Sequence, residues 1–202
     1  MNLTNKLKKR LSLYLFLILF TLQTPSQADD IRDFEIDGMS IGDSLLKFYS
    51  KEVITNSEKV IYPGSKKFYG IGFNTSNSDL YEAYTFGLKN NDDKFIIYDL
   101  GGVKDFHNDL NNCKKQKKKI TDDFKRFIDT SNIDEYEYRY KEIEDGKSVA
   151  FITAFNTSGG AVRVYCNDWS ENTSKSRDWT DDLNVDLSSI IFLDFLDNDA
   201  YK

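Results

Sequence analysis

The sequence predicts an α+β fold: an antiparallel sheet of about six to eight strands in hairpins and meanders, with one long and one short helix packed on it. Three observations predict it. Short runs alternate apolar with polar residues between turn-forming residues, as half-buried strands do. One long segment repeats its apolar residues at helical spacing instead. The 15 Phe and 12 Tyr, set against only 2 Pro, favour strands throughout.

Ahead of the domain, residues 1–28 have the three parts of a cleavable secretory signal peptide. A basic stretch (Lys6, Lys8, Lys9, Arg10) leads into the apolar run Leu11 to Leu22, and a polar tail ends Ser26-Gln27-Ala28 with small residues at the cleavage site. The run is too short for a membrane-spanning helix, which needs about 20 apolar residues. No cysteine stands near the cleavage site for lipid attachment, and no later segment is apolar enough to span a bilayer, so no transmembrane anchor is expected after cleavage. The expectation is a periplasmic or secreted domain over 29–202, with 29–106 and 107–202 as two candidate fused halves.

Asp33 to Asp37 alternates apolar with acidic and predicts a strand that Gly38 ends. Ser40 or Asp43 then starts a short helix through about Val53. Strands follow at Lys67 to Phe73, Tyr81 to Leu88 and Lys94 to Leu100, the last two joined by the turn Asn90-Asn91-Asp92-Asp93. The long helix is predicted over Asn108 to Ile128, with Leu110, Cys113, Lys117, Ile120, Phe124 and Phe127 along one stripe. Three more strands make a meander: Glu135 to Ile143, Lys147 to Phe155 and Ala161 to Asn167. From Trp169 to Asn184 the chain is polar and turn-like, and Leu187 to Leu196 predicts a last apolar strand. A helix followed by three strands thus occurs twice. The tetrapeptide Phe-Asn-Thr-Ser also recurs, at Phe73 to Ser76 and Phe155 to Ser158, though not on equivalent strands of such a repeat.

Two cysteines fix the redox expectation. Cys113 lies on the helix stripe, and Cys166 shares a strand face with Val162 and Val164, so both face the core. In an oxidising compartment they form a disulfide. Charge narrows the partners. The chain has 27 basic and 33 acidic residues, and losing the leader leaves 23 and 33, a net charge of −10. Such a field repels nucleic acid, so no nucleic-acid partner is expected. Against it, Lys114, Lys115, Lys118 and Lys119 make the helix the distinctive basic feature, a candidate contact for an envelope protein or an anionic envelope component.

Catalytic signals are weak. Gly38-Met39-Ser40-Ile41-Gly42 fits G-x-S-x-G, but too little chain precedes it to build the parallel sheet under a nucleophile elbow, and helix capping explains it. His107 is the single histidine, which argues against zinc catalysis. Asp33, Glu35 and Asp37 imitate the start of a calcium loop, yet the twelfth position is Ser44. Asp194, Asp197 and Asp199 form an unremarkable acidic cluster. No cofactor, metal or catalytic residue is assigned. Tyr136, Tyr138 and Tyr140 alternate along one strand and suit either packing or ligand stacking.

The stretch Asp33-Phe34-Glu35-Ile36-Asp37-Gly38-Met39-Ser40-Ile41-Gly42-Asp43-Ser44-Leu45-Leu46 resembles the start of a group of small exported bacterial proteins of unknown function. It is more faintly similar to the helix-entering segment of small envelope-assembly lipoproteins with helix-plus-sheet domains, whose lipidated cysteine this chain lacks. The resemblance implies an exported α+β domain and assigns no site residue. The functional expectation is a non-catalytic binding or envelope-accessory protein. The rivals are a carboxylate-dependent hydrolase acting on glycans, and an inhibitor of an extracellular enzyme presenting the segment Trp169 to Trp179.

Overall fold

A computed structural model describes residues 30–128 and 132–202. The leader lies outside the described residues. The fold is α+β as expected, built on one open antiparallel sheet of eight strands. In chain order the elements are helix α1 (Lys51–Asn56), strands β1 (Val60–Ile61), β2 (Phe68–Asn74), β3 (Ala83–Lys89) and β4 (Ile97–Asp105), helix α2 (Leu110–Phe124), strands β5 (Ile133–Arg139), β6 (Val149–Thr157) and β7 (Gly160–Asp168), helix α3 (Glu171–Arg177), strand β8 (Asp182–Ser189) and helix α4 (Ile190–Asn198).

The strand order is β1-β2-β3-β4-β8-β7-β6-β5. A helix followed by a four-strand meander therefore occurs twice, and the last strands of the two meanders, β4 and β8, pair at the centre. This corrects the sequence-based count of three strands per half. β1 has only two residues, Val60 and Ile61, both exposed, too few to give an alternation. Once it is counted, both copies of Phe-Asn-Thr-Ser begin near the end of the second strand of a meander, on β2 and β6, with Phe73 and Phe155 facing the same side of the sheet.

One face of the sheet carries the main core. Leu88, Leu100, Phe155, Val162, Val164, Leu183, Val185 and Leu187 meet Ile31, Phe34, Ile36, Met39, Ile41 and Leu45 of the segment before α1, together with Ile54 of α1. That opening segment departs from expectation. Asp30 caps a 3-10 turn over Ile31–Asp33. Asp37 and Gly38 both take positive φ, and Ile36 pairs with Met39 across them, so Asp33 to Asp37 turns back on itself and is not a strand. The short helix is likewise broken, into a 3-10 turn Leu45–Lys47 capped by Ser44 and α1 capped by Ser50. On α2, capped by Asp109, Phe124 packs on Phe34 and Phe155. Cys113 and Cys166 are fully buried and bonded, with Cα atoms 6.0 Å apart. The bond closes a separation of 53 residues and stabilises the fold by about 4 kcal/mol in the chain-entropy model.

The C-terminal third differs most from the sequence reading. Leu183, Val185 and Leu187 alternate with Asn184, Asp186 and Ser188 to form β8, which begins inside the segment that reads as polar and turn-like up to Asn184 and ends in the first residues of the strand predicted from Leu187. The apolar run after it is helix α4, because Ser189 accepts from the Phe192 N–H and caps it, and Phe192 and Phe195 repeat at helical spacing. α4 folds back over the other face of the sheet. Its Phe192 and Phe195 pack on Phe68 and Tyr62, and Phe68 also meets Tyr98, the extra residue of a bulge in β4. Among the described residues, no helix is long and apolar enough to cross a membrane.

Candidate functional site

Beyond α4, the second face of the sheet is lined by side chains that alternate with the core residues. β8 places Asp182, Asn184, Asp186 and Ser188 there, and β7 places Arg163, Tyr165 and Asn167. β4 adds Asp99 and Asp105, and β5 adds Tyr136 and Tyr138. Register brings these together: Arg163 pairs with Asp186, Asp186 with Gly101, and Asp99 with Ser188. Gly101 is required here, since a Cβ would sit 2.9 Å from Asp186 Oδ1 and collide with the Thr85 hydroxyl.

At the centre is a charged cluster. Arg163 Nη2 donates to Ser188 Oγ at 3.0 Å and lies 3.7 Å from Asp186 Oδ2. Ser188 Oγ in turn donates to Asp99 Oδ1 at 2.5 Å, and the Tyr165 hydroxyl donates to Asp186 Oδ2 at 2.8 Å. Burial pushes the Asp99 carboxyl up to about 7; the neighbouring Asp186 adds to this, and Arg163 and Ser188 oppose it. Burial likewise raises Asp186, opposed by Arg163 and by Tyr165. Burial also lifts Asp182 to about 6, although Trp169, Asn167 and Asn184 all donate to it. Carboxylates whose ionisation is costly, gathered round one arginine, are the most strained electrostatic feature of the described chain. Arg163 Nε is buried and has no hydrogen-bond partner.

Aromatic rings border the cluster on one side. Tyr136 and Tyr138 on the edge strand β5 are 46% and 53% exposed, which leaves their faces free to stack. Tyr138 meets the edge of Tyr140 at 5.2 Å, Tyr140 stacks on Trp169 at 5.0 Å, and Trp169 contacts Trp179 at 4.7 Å. The two tryptophans enter a surface hollow of about 700 Å³ at the end of the sheet, beside Asp168, Asp178 and Asp181. The segment between them is the helix α3, capped by Ser170, where an exposed loop was expected.

The lysines lie on the opposite side of the sheet, and they do not act as one face. Lys114 turns inward, its Nζ 3.3 Å from the centre of the Phe151 ring. Lys118 pairs with Asp122 at 2.6 Å. Lys115 and Lys119 line a second hollow of about 820 Å³ with His107, Lys104, Asp105 and Asp109. His107 and Asn108 there take positive φ in the turn into α2. Asp194 and Asp197 are exposed on α4, and Asp199 lies 3.7 Å from Lys67. Ser40 donates its backbone N–H to Asp43 in a turn flanked by Gly38 and Gly42, both at positive φ, so the G-x-S-x-G pattern here builds turns. Among the described residues, no three His, Cys, Asp or Glu side chains are grouped to hold a metal.

The period-2 pattern of Ala161 to Asn167 puts Arg163 and Tyr165 on the face opposite Cys166 without giving them a role, and nothing in the sequence reading singles out Asp99, Asp186 or Ser188. The alternation in Leu183 to Ser188 is the available signal, divided in the sequence reading between the polar run ending at Asn184 and the apolar run beginning at Leu187. Compared with protein families, with curated proteins and with solved structures, the chain matches none.

Proposed function

We propose that this is an exported, non-catalytic binding protein that meets a partner in the envelope or outside the cell through the open face of its sheet. The observation that carries the reading is the exposed pair Tyr136 and Tyr138 on the edge strand β5, beside the largely buried charged cluster of Asp99, Asp186 and Arg163. Aromatic and arginine side chains at the centre of a polar surface are the residues that dominate protein interfaces. The buried disulfide and the leader-like residues 1–28 support export. The lysine quartet, split between a ring contact, an ion pair and a hollow, supports the role of partner surface less well than the open face.

The test is capture from an envelope extract by the immobilised chain. Tyr136→Ala with Tyr138→Ala is expected to weaken retention of a specific partner by about tenfold, in the range of interface hot spots. Lys115→Glu with Lys119→Glu is expected to leave it unchanged. A partner retained by the tyrosine variant and lost from the lysine variant refutes the assignment.

A second reading, a carboxylate-dependent hydrolase acting on glycans, is favoured by one observation: the Asp99 carboxyl titrates near neutrality, as a general acid should. Against it, Asp99 and Asp186 sit side by side on paired strands, tied by Ser188 and Arg163, whereas glycosidase acids flank the bond from opposite sides. Turnover of an envelope glycan that Asp99→Asn abolishes would establish the second reading over the first.

A further inference from the structure

We infer that the edge strand β5 joins the β5 of a second copy of this chain, antiparallel and about a two-fold axis at Tyr138, so that the two sheets continue as one. This goes beyond the binding reading above.

The unpaired edge supplies the first argument. Tyr140 donates its backbone N–H to the Ser148 carbonyl and so continues the ladder with β6. By the antiparallel alternation, Asp134, Tyr136 and Tyr138 also turn their backbone groups to β6, while Ile133, Glu135, Glu137 and Arg139 turn theirs outward. β5 ends the strand order, and among the described residues the outward N–H groups of Glu135 and Glu137 meet no acceptor. Native edges are kept short, bulged, covered or broken by Pro. The opposite edge is protected in this way: β1 has two residues, and the chain after it is tied to the C-terminal tail, where Gly64 donates to the Ala200 carbonyl at 2.8 Å. β5 has seven residues without Gly or Pro, in unbroken register with β6. Only the charges of its side chains guard it, and they do so against all but one pairing with its own copy.

That charge pattern identifies the occupant. A second copy adds antiparallel about a two-fold axis normal to the sheet, and because opposed side chains share a face, the axis falls on a residue. An axis at Asp134, Glu135, Glu137 or Arg139 sets that charge against itself, and one at Tyr136 sets Glu135 against Glu137 twice. With the axis at Tyr138 no like charges of the strand meet. Glu137 then faces Arg139 of the other copy, and the reverse, while Tyr138 faces its own counterpart and Tyr136 faces Tyr140. Glu137 and Arg139 are also outward-pointing, so each of the two pairs exchanges two backbone hydrogen bonds. Their side chains are available: among the described residues Glu137 makes no ion pair, and Arg139 reaches only the Lys147 carbonyl, at 3.4 Å.

The joint enlarges the partner surface. Tyr136, Tyr138 and Tyr140 alternate onto one side of the sheet, and the second copy adds its own three to the same row.

Two short strands make a small interface of the transient class. The experiment is sedimentation velocity of the disulfide-bonded chain from about 10 μM to about 1 mM, where weak association is read, and a reversible monomer–dimer equilibrium is expected. Glu137→Arg and Arg139→Glu each set like charges face to face and are expected to raise the dissociation constant by about tenfold or more. The double variant Glu137→Arg/Arg139→Glu restores the pairing and is expected to return within about threefold of the parent chain. Glu137→Pro removes an outward N–H that the sheet does not use, and is expected to abolish the dimer while the near-ultraviolet circular dichroism stays unchanged. Asp194→Arg on the exposed side of α4 changes net charge as much as Glu137→Arg does and is expected to leave the dimer intact. A chain that stays monomeric, a dimer indifferent to Glu137→Arg or Glu137→Pro, a double variant as weak as the single ones, or equal weakening by Asp194→Arg overturns the inference. A monomer that still captures its partner through Tyr136 and Tyr138 overturns it too, and leaves the binding reading standing.

Discussion

Replacing Asp99 with asparagine should make the protein more stable at pH 8 and nearly neutral in effect at pH 4. The native Asp99 carboxyl is raised from 3.8 to about 7, chiefly by burial. The unfolded chain releases this proton near pH 4, the ordinary carboxylate range. Between about pH 4 and 7 the native state therefore binds more protons than the unfolded state, and stability falls as pH rises through that window. Above it the full cost of an ionised Asp99 is present. Three pH units correspond to about 4 kcal/mol as an upper bound. Asp99 is only half-buried and water screens part of the charge, so about 1 to 2 kcal/mol is the expected gain. Asparagine keeps an oxygen for the Ser188 hydroxyl and never ionises. Urea midpoints of the variant and the parent chain at pH 4 and pH 8 measure the effect, since groups outside the cluster titrate alike in both. A stability difference that is the same at both pH values refutes the electrostatic account of the cluster.

Arg163→Met removes the cation that Asp99 and Asp186 share, and is expected to cost about 3 kcal/mol at pH 8 and clearly less at pH 5, where Asp99 is protonated, by the same urea measurement. Tyr165→Phe deletes the hydroxyl that Asp186 accepts and should lower stability by about 2 kcal/mol in chemical denaturation. Cys113→Ala with Cys166→Ala should cost about 4 kcal/mol, and mass spectrometry of the native chain after alkylation without reductant should show no added mass. The same spectrum of protein recovered after export should place the first residue at Asp29.

Much of the fold was legible because strand and helix periods differ. Cys113 and Cys166 fell on core-facing sides by two unrelated periodicities, and the bond joins them. The errors share a cause. The start of β8 reads as loop because Asp182 and Asn184 continue the polar run from Trp169, and the polarity of every second residue is what makes β8 half of the candidate site. Leu187 to Leu196 read as strand because a dense apolar run carries no period until the Ser189 cap divides it. The lysines looked like one face because a helix stripe shows neither Phe151 beneath Lys114 nor Asp122 beside Lys118. Asp99 and Asp186 are 87 residues apart in sequence, and only the pairing of β4 with β8 brings them together.

The central claim, that the open sheet face meets the partner, is tested most directly by photo-crosslinking in cells. A photoreactive phenylalanine analogue at Tyr138 reports on the open face, and the same analogue at Lys115 reports on the helix side. The account predicts a discrete covalent adduct from position 138 and none from position 115. An adduct formed only from position 115 contradicts it.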